Sequence, residues 1–278
     1  IVNDLTMRTE KKTYRPKDLT LELYTSPDTT WAKANSGNLR LDMNARGGYE
    51  LLMKQIDRLM AKVEQQRREK VIDEEQLREL LPTLSLKVES GNDNPIANML
   101  RYKGFDFQDL SIDFRSSPQR GMGGRGHIYK MTVDSIPIDT VRFGIRQDST
   151  RMNFRLLVQN NKRNPRLVFK SQVNGYIDGN RVGADAQFFD KKGTKGLDMG
   201  IMAEMCDSGI NVHLTPYTPL IGYKTFVLND DNYVFLGRDG RVDAKVDLIA
   251  EDGTGVKVFS EKEDSTMLQD LTVSINKL

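Results

Sequence analysis

Apolar and polar residues take turns along much of this chain. Leu19, Leu21 and Leu23 alternate with Thr20, Glu22 and Tyr24, and Leu39, Leu41 and Met43 with Arg40, Asp42 and Asn44. Successive side chains of a strand point to opposite sides, so a period of two predicts strands with one greasy and one wet face. The pattern returns at Leu84, Leu86 and Val88, at Leu110, Ile112 and Phe114, and at Val141, Phe143 and Ile145. It continues through Met152, Phe154, Leu156 and Val158, and closes with Leu271, Val273 and Ile275. The short stretch 147–150 predicts a hairpin turn.

Two interruptions change the period. After Gly47 and Gly48, the residues Leu52, Ile56, Leu59 and Val63 recur at three- and four-residue steps, which predicts a helix with one apolar stripe. The stripe fades in the charged stretch from Glu64 to Lys70. Asp73 with Gln76 resembles a capping box for a second short helix carrying Leu77, Leu80 and Leu81, which Pro82 should stop. Residues 48–82 therefore read as a helical insert acting as a lid or brace on a sheet. A brief helix is expected over Ile96 to Tyr102, after Pro95.

The second half contains an echo. Val182 to Phe189 runs into Gly193-Thr194, and sixty positions later Val242 to Ile249 runs into Gly253-Thr254. Leu197, Met199 and Ile201 follow the first copy, Val256 and Val258 the second. One hairpin used twice, with glycine allowing a tight reversal, explains both. No firm domain boundary is visible. Ser116 to Gly126, with Pro118 and four glycines, is either a linker subdividing the chain or a long β–β loop.

Composition narrows the function. At 38% hydrophobic and 29% charged, the 278 residues suit sheets with one solvated face, giving a mainly β fold: an elongated, curled antiparallel sheet or open β groove with a helical insert. The 41 Lys and Arg balance 39 Asp and Glu without a block of either sign, which argues against nucleic acid as a partner. Lys162, Arg163 and Arg166 read as a polar turn. Cys206 is the only cysteine, so no intrachain disulfide framework exists. No run approaches the roughly 20 apolar residues of a membrane helix, and no signal peptide is visible. A start at Ile1 and a stop at Leu278 inside a strand-like run read as an excerpt of a longer chain, leaving any anchor outside it.

Candidate chemistry is sparse. Gly121-Met122-Gly123-Gly124-Arg125-Gly126 lacks the Lys and Ser/Thr of a phosphate-binding loop and reads as a flexible loop leading into a strand with His127, Tyr129, Met131 and Val133. His127 and His213, the only histidines, lack metal-ligand spacing. Asp230 with Asp231, and Glu251-Asp252-Gly253, lack the spaced oxygens of a calcium loop and read as hydrophilic turns. With no nucleophile elbow either, the chain is expected to be no enzyme, with no catalytic residues, metal or cofactor. What remains is distributed: strand after strand turns Leu, Ile, Val, Met and Phe to one side. Twelve methionines, Met43, Met131, Met152 and Met199 among them, could adapt to varied acyl chains, though core packing explains any one of them as well.

From Tyr217 the wording becomes more specific. Pro219-Leu220-Ile221-Gly222-Tyr223-Lys224-Thr225-Phe226-Val227-Leu228-Asn229 leads into Asp231-Asn232-Tyr233-Val234-Phe235-Leu236, then Asp239-Gly240-Arg241-Val242-Asp243-Ala244, and finally Leu271-Thr272-Val273-Ser274-Ile275-Asn276-Lys277-Leu278. Together these resemble the TamB-like members of the AsmA superfamily (translocation and assembly modules) in Bacteroidetes, best over 217–278; the insert at 48–82 has no counterpart. The resemblance implies a segment of an inner-membrane-anchored, periplasm-spanning envelope protein whose incompletely closed β groove carries phospholipids or helps assemble outer-membrane proteins. It supplies no catalytic residue. It gives Val182, Ala184, Ala186 and Phe188, with Val242, Ala244, Val246 and Leu248, the role of groove lining, and phospholipid acyl chains and outer-membrane assembly proteins the role of partners.

Two other readings compete. One is a non-catalytic extracytoplasmic β-sandwich for binding or adhesion, with mutually buried apolar faces and partners held by loops such as 121–126 or the turn at Asp230 and Asp231. The other is an outer-membrane barrel, for which strand lengths are uneven, aromatic girdles are missing and the helical insert is awkward.

Overall fold

A computed structural model of the chain describes residues 19–69, 71–148, 151–161, 164, 167–261 and 270–277, with the backbone of 7–8 and 13–14. The basic cluster at Lys162, Arg163 and Arg166 lies outside the described residues, as do Lys70 and Leu278. The fold is mainly β and antiparallel, with a helical insert, as the alternation predicts. It divides into two compact units, residues 1–62 with 76–168, and residues 63–75 with 169–278.

In the first unit, β1 (Met7–Arg8) and β2 (Thr13–Tyr14) form a separate pair. The main sheet starts with β3 (Leu19–Thr25), β4 (Thr29–Ser36) and β5 (Leu39–Arg46). The insert follows as α1 (Tyr49–Glu69) and α2 (Glu74–Glu79), of which residues 63–75 are counted with the second unit, and then β6 (Leu84–Gly91) resumes the sheet beside β5. Next come α3 (Pro95–Tyr102), β7 (Phe105–Asp106), β8 (Asp109–Ser117), β9 (Gly121–Val133), β10 (Ile136–Gln147) and β11 (Arg151–Asn160). Neighbours pair in the order β3-β4-β5-β6-β8-β9-β10-β11, and β7 adds a short pairing to β9.

The insert is tied to the sheet at its roots. Thr30 Oγ1 donates to the Gly47 carbonyl at 2.9 Å, the Tyr49 N–H donates to Thr25 Oγ1 at 2.9 Å, and Ser116 Oγ donates to the Pro82 carbonyl at 2.7 Å. Leu52 and Leu81 are buried, Ile56 and Leu59 half-buried and Val63 exposed, so the apolar stripe loses cover along the helix as its composition foretells. Gln66 clasps the backbone of Asp73, donating to its carbonyl at 3.1 Å and accepting from its N–H at 3.0 Å, where the chain reverses before α2. At α3 the Asn94 side chain caps the first turn by accepting from the Ala97 N–H at 3.0 Å, with Pro95 at the start.

The second unit contains β12 (Phe169–Asp178), β13 (Arg181–Phe189), β14 (Lys195–Cys206), β15 (Gly209–Ile221), β16 (Lys224–Leu228), β17 (Tyr233–Gly237), β18 (Val242–Ala250), β19 (Gly255–Ser260) and β20 (Leu271–Asn276). The long strand β15 is flanked by two short ones, β17 at its start and β16 at its end, and both then pair with β18. Asn232 fills the notch between them: it is buried, its amide oxygen accepts from the Leu214 N–H at 2.7 Å, and its amide nitrogen donates to the Asn229 carbonyl at 3.0 Å.

The echo is structural. In β13–β14 the Asp190 N–H bonds the Thr194 carbonyl at 3.0 Å and the Gly193 N–H bonds Asp190 at 3.0 Å; in β18–β19, Ala250, Thr254 and Gly253 do the same at 2.8 and 2.9 Å. Gly193 and Gly253 hold φ of 79° and 81°, the left-handed position that this turn places before the returning strand. The copies begin with equivalent pairs, Phe189 with Lys195 and Ile249 with Gly255, but a bulge between Phe188 and Phe189 then advances the first by one residue. That is why Leu197, Met199 and Ile201 share a face in one copy and Val256 and Val258 in the other, at positions of opposite parity.

One sequence expectation is corrected. Residues 121–126 are not a flexible loop but the start of β9, and the reversal is confined to 118–120. Gly126 is required by packing, since a Cβ there would strike the Phe143 ring and lie 2.7 Å from the Ser111 carbonyl. The units divide at 62/63, 75/76 and 168/169, whereas 116–126 lies within the β8–β9 hairpin of the first unit.

Candidate apolar faces

Pairing register carries the apolar faces across strands. In the first unit Leu21, Ala34, Leu41, Val88, Ile112, Gly126, Phe143 and Leu156 form one row, and Leu23, Ala32, Met43, Leu86, Phe114, Gly124, Ile145 and Phe154 the next. A third row runs from Leu19 through Leu39, Leu110, Ile128 and Val141 to Val158, with Ser36 and Ser90 between them. Few of these side chains are sealed. Leu21 and Leu23 are 61% and 60% exposed, Phe143 and Leu156 are also exposed, and most others are half-buried.

The second unit repeats the arrangement and brings the eight candidate residues onto one face. Val182 lies in a row with Ile177, Ala203, Val212, Val234 and Ala244. Ala184 is beside Ile201 and Leu214, Ala186 beside Val173 and Met199, and Phe188 beside Leu197 and Ile221. Val242, paired with Leu236, Val246, paired with Val258 and Val273, and Leu248, paired with Leu228, Val256 and Ile275, extend the face from Ala244 along β18 and into β19 and β20. Ala244 is buried and the other seven are half-buried; Val273 and Ile275, at the end of these rows, are 58% and 57% exposed.

The reverse faces are wet. In the first unit Glu22, Lys33, Asp42, Lys87, Asp113 and Arg125 alternate in sign across successive strands. In the second, Lys195 Nζ meets Asp198 at 2.5 Å and Lys257 meets Asp247 at 2.6 Å. The Lys195 ammonium, with Gln187, holds the Asp198 carboxyl below the usual carboxylate range. Charge on one side and hydrocarbon on the other fixes register, because a one-residue slip would exchange the faces.

The remaining candidates are occupied locally. His127 Nε2 lies 2.7 Å from Asp109 Oδ1, with the ring stacked on Tyr129, a partnership across 18 residues that only the β8–β9 pairing creates. Ser111 lies opposite His127 without a hydrogen bond to the imidazole. His213 Nδ1 is 2.6 Å from the Asn232 carbonyl. Asp231 is held by Lys245 and Asn229, and Asp252 by Lys224 at 2.8 Å and the Thr254 N–H at 3.0 Å, so both carboxyls sit below their ordinary range. Cys206 ends β14 exposed, its thiol drawn below the usual value by Ser208. Among the described residues no group of three or more His, Cys, Asp and Glu could hold a metal ion, and no helix is long and apolar enough to cross a membrane.

One feature escaped the sequence. A cavity of about 880 Å³ at one end of the first unit's sheet is lined by Arg46, Arg115, Arg120 and Arg146, with Asp28 as the single carboxylate. These residues are spread over a hundred positions, so no basic run announces them; β5, the β8–β9 turn and β10 gather them. No family model, no curated protein and no solved structure matches this chain.

Proposed function

We propose that this chain is a non-catalytic segment of a periplasm-spanning, inner-membrane-anchored envelope protein of the TamB-like kind, offering apolar sheet faces to phospholipid acyl chains in lipid transport, outer-membrane protein assembly, or both. The observation that supports this most is the incomplete cover of the apolar rows. A sandwich would bury them against a second sheet. Here Leu21 and Leu23 stay open to solvent with Glu22 on the opposite side, and Val273 and Ile275 with the polar Thr272, Ser274 and Asn276 on theirs. An acyl chain laid along such a face gains about 0.8 kcal/mol per CH₂ removed from water, so a modest contact length suffices and no single side chain need dominate.

The test is face-selective capture in cells. A photo-reactive phenylalanine analogue at Phe188 or Val246 is expected to crosslink phospholipid, and the same group at Asp185 or Asp247, on the other face, is not. Equal capture from both faces, or none from either, would contradict the proposal.

A further inference from the structure

We infer that the arginine-lined cavity of the first unit binds a phosphate group, either that of a small phosphorylated molecule or that of a lipid headgroup. The inference goes beyond the proposed function and stands apart from it: Arg115 and Arg146 lie on the polar face of the sheet, while Ala45, Leu84 and Met122 of the other register also border the cavity at the sheet's end. Arg115 on β8 and Arg146 on β10 share one cross-strand row with Gly123 of β9 between them. Neighbouring strands lie about 4.8 Å apart, so the two arginine backbones flank the glycine at about 10 Å, a span two guanidinium groups can close around one tetrahedral anion. A Cβ at Gly123 would meet nothing within 4 Å, so the floor between them is open. Arg120 enters from the turn above β9, and Arg46 from the end of β5.

Charge balance selects an anion. Four guanidinium groups face one carboxylate, Asp28, in a chain whose net charge is only +2. Arg115 Nε has Asp113 at a loose 3.8 Å, and the side chains of Arg46, Arg120 and Arg146 have no carboxylate partner among the described residues. These arginines are exposed at the mouth of the cavity, so the site is an open cationic one whose charge an anion would balance. Guanidinium is the cation best shaped for phosphate oxygens, which it binds through paired N–H donors. The volume lies within the range of small-molecule sites.

Calorimetric titration of the chain with glycerol 1-phosphate and with dihexanoyl phosphatidic acid tests this. Saturable binding of at least one probe is expected, weakening as salt rises. Arg115→Gln and Arg146→Gln should each reduce affinity about tenfold or more, the loss of a charge-assisted contact. Gly123→Leu should abolish binding while leaving the melting temperature unchanged, since its side chain enters open space. Arg181→Gln, which removes one positive charge outside the cavity, should bind as the parent does. Equal affinity for both probes identifies the phosphate alone as the ligand; binding of the lipid only, still lost in Gly123→Leu, identifies a headgroup with its chains. No binding of either probe by the folded chain, or undiminished binding by the Arg115→Gln, Arg146→Gln double variant, would overturn the inference.

Discussion

Between the many half-buried apolar residues of this chain stand two extreme populations. Leu39 and Leu228 on strands, and Leu52 and Leu81 in the helical insert, are sealed, whereas Leu21, Leu23, Val273 and Ile275, in alternating runs like that of Leu39, stand in water. In the sealed set, Leu52 and Leu81 belong to the helical insert, whose roots are anchored by Thr25, Thr30 and Ser116, and Leu228 pairs with Leu248 at the end of β16. The open set lies on strands where, among the described residues, the side chains keep more than half of their surface exposed. An alternating pattern therefore has two physical meanings, a core face and an unoccupied face, and only burial separates them.

Mutation should split the two populations. Leu228→Ala, at 1% exposure, is expected to lower stability by about 2–5 kcal/mol, read as a shifted denaturation midpoint at constant slope. Gly126→Ala follows at about 1–3 kcal/mol, because the new methyl meets Phe143 and the Ser111 carbonyl, while Gly123→Ala, three positions away with open space, should stay within about 0.5 kcal/mol. Leu23→Ser should likewise change stability by less than about 1 kcal/mol and yet weaken lipid capture. A large stability loss at Leu23 would make the open rows a core after all.

The smallest effect concerns acid. Lys224 holds the Asp252 carboxyl far below its ordinary value, so the pair contributes stability above the unfolded carboxyl's pKa of about 4 and loses it as pH falls toward the folded one. Both groups are exposed, which keeps the contribution slight. The melting temperatures of the parent and of Lys224→Met should differ a little at neutral pH and converge in strong acid. A gap that widens in acid would reverse the sign.

Much of the strand plan was legible because its signal is local. β3, β5, β6, β8, β10, β11, β13, β18, β19 and β20 each carry alternating large apolar residues. β4 escaped notice because its apolar positions are small, Ala32 and Ala34, so the pattern has no amplitude. The insert was legible from its change of period, and the echoed hairpin from Gly193 and Gly253. A third turn of the same form, Gly237 to Arg241 with Gly240 at φ of 91°, went unread because the residues before it differ. The bulge at Phe188 and Phe189 leaves no mark that distinguishes it from continued alternation. The arginine cavity was least legible, since register across five strands makes it, and charges balanced along the sequence need not balance in space.

Tail contact with the open face can be measured directly on the purified chain. With Trp31→Phe removing the native indole, Ile201→Trp places a reporter among Ala184 and Leu214, and Asp185→Trp places one on the opposite side. Phospholipid brominated midway along its acyl chains should quench fluorescence at position 201 and leave position 185 unaffected. Equal quenching at both, or quenching at 185 alone, would contradict an apolar face that receives lipid tails.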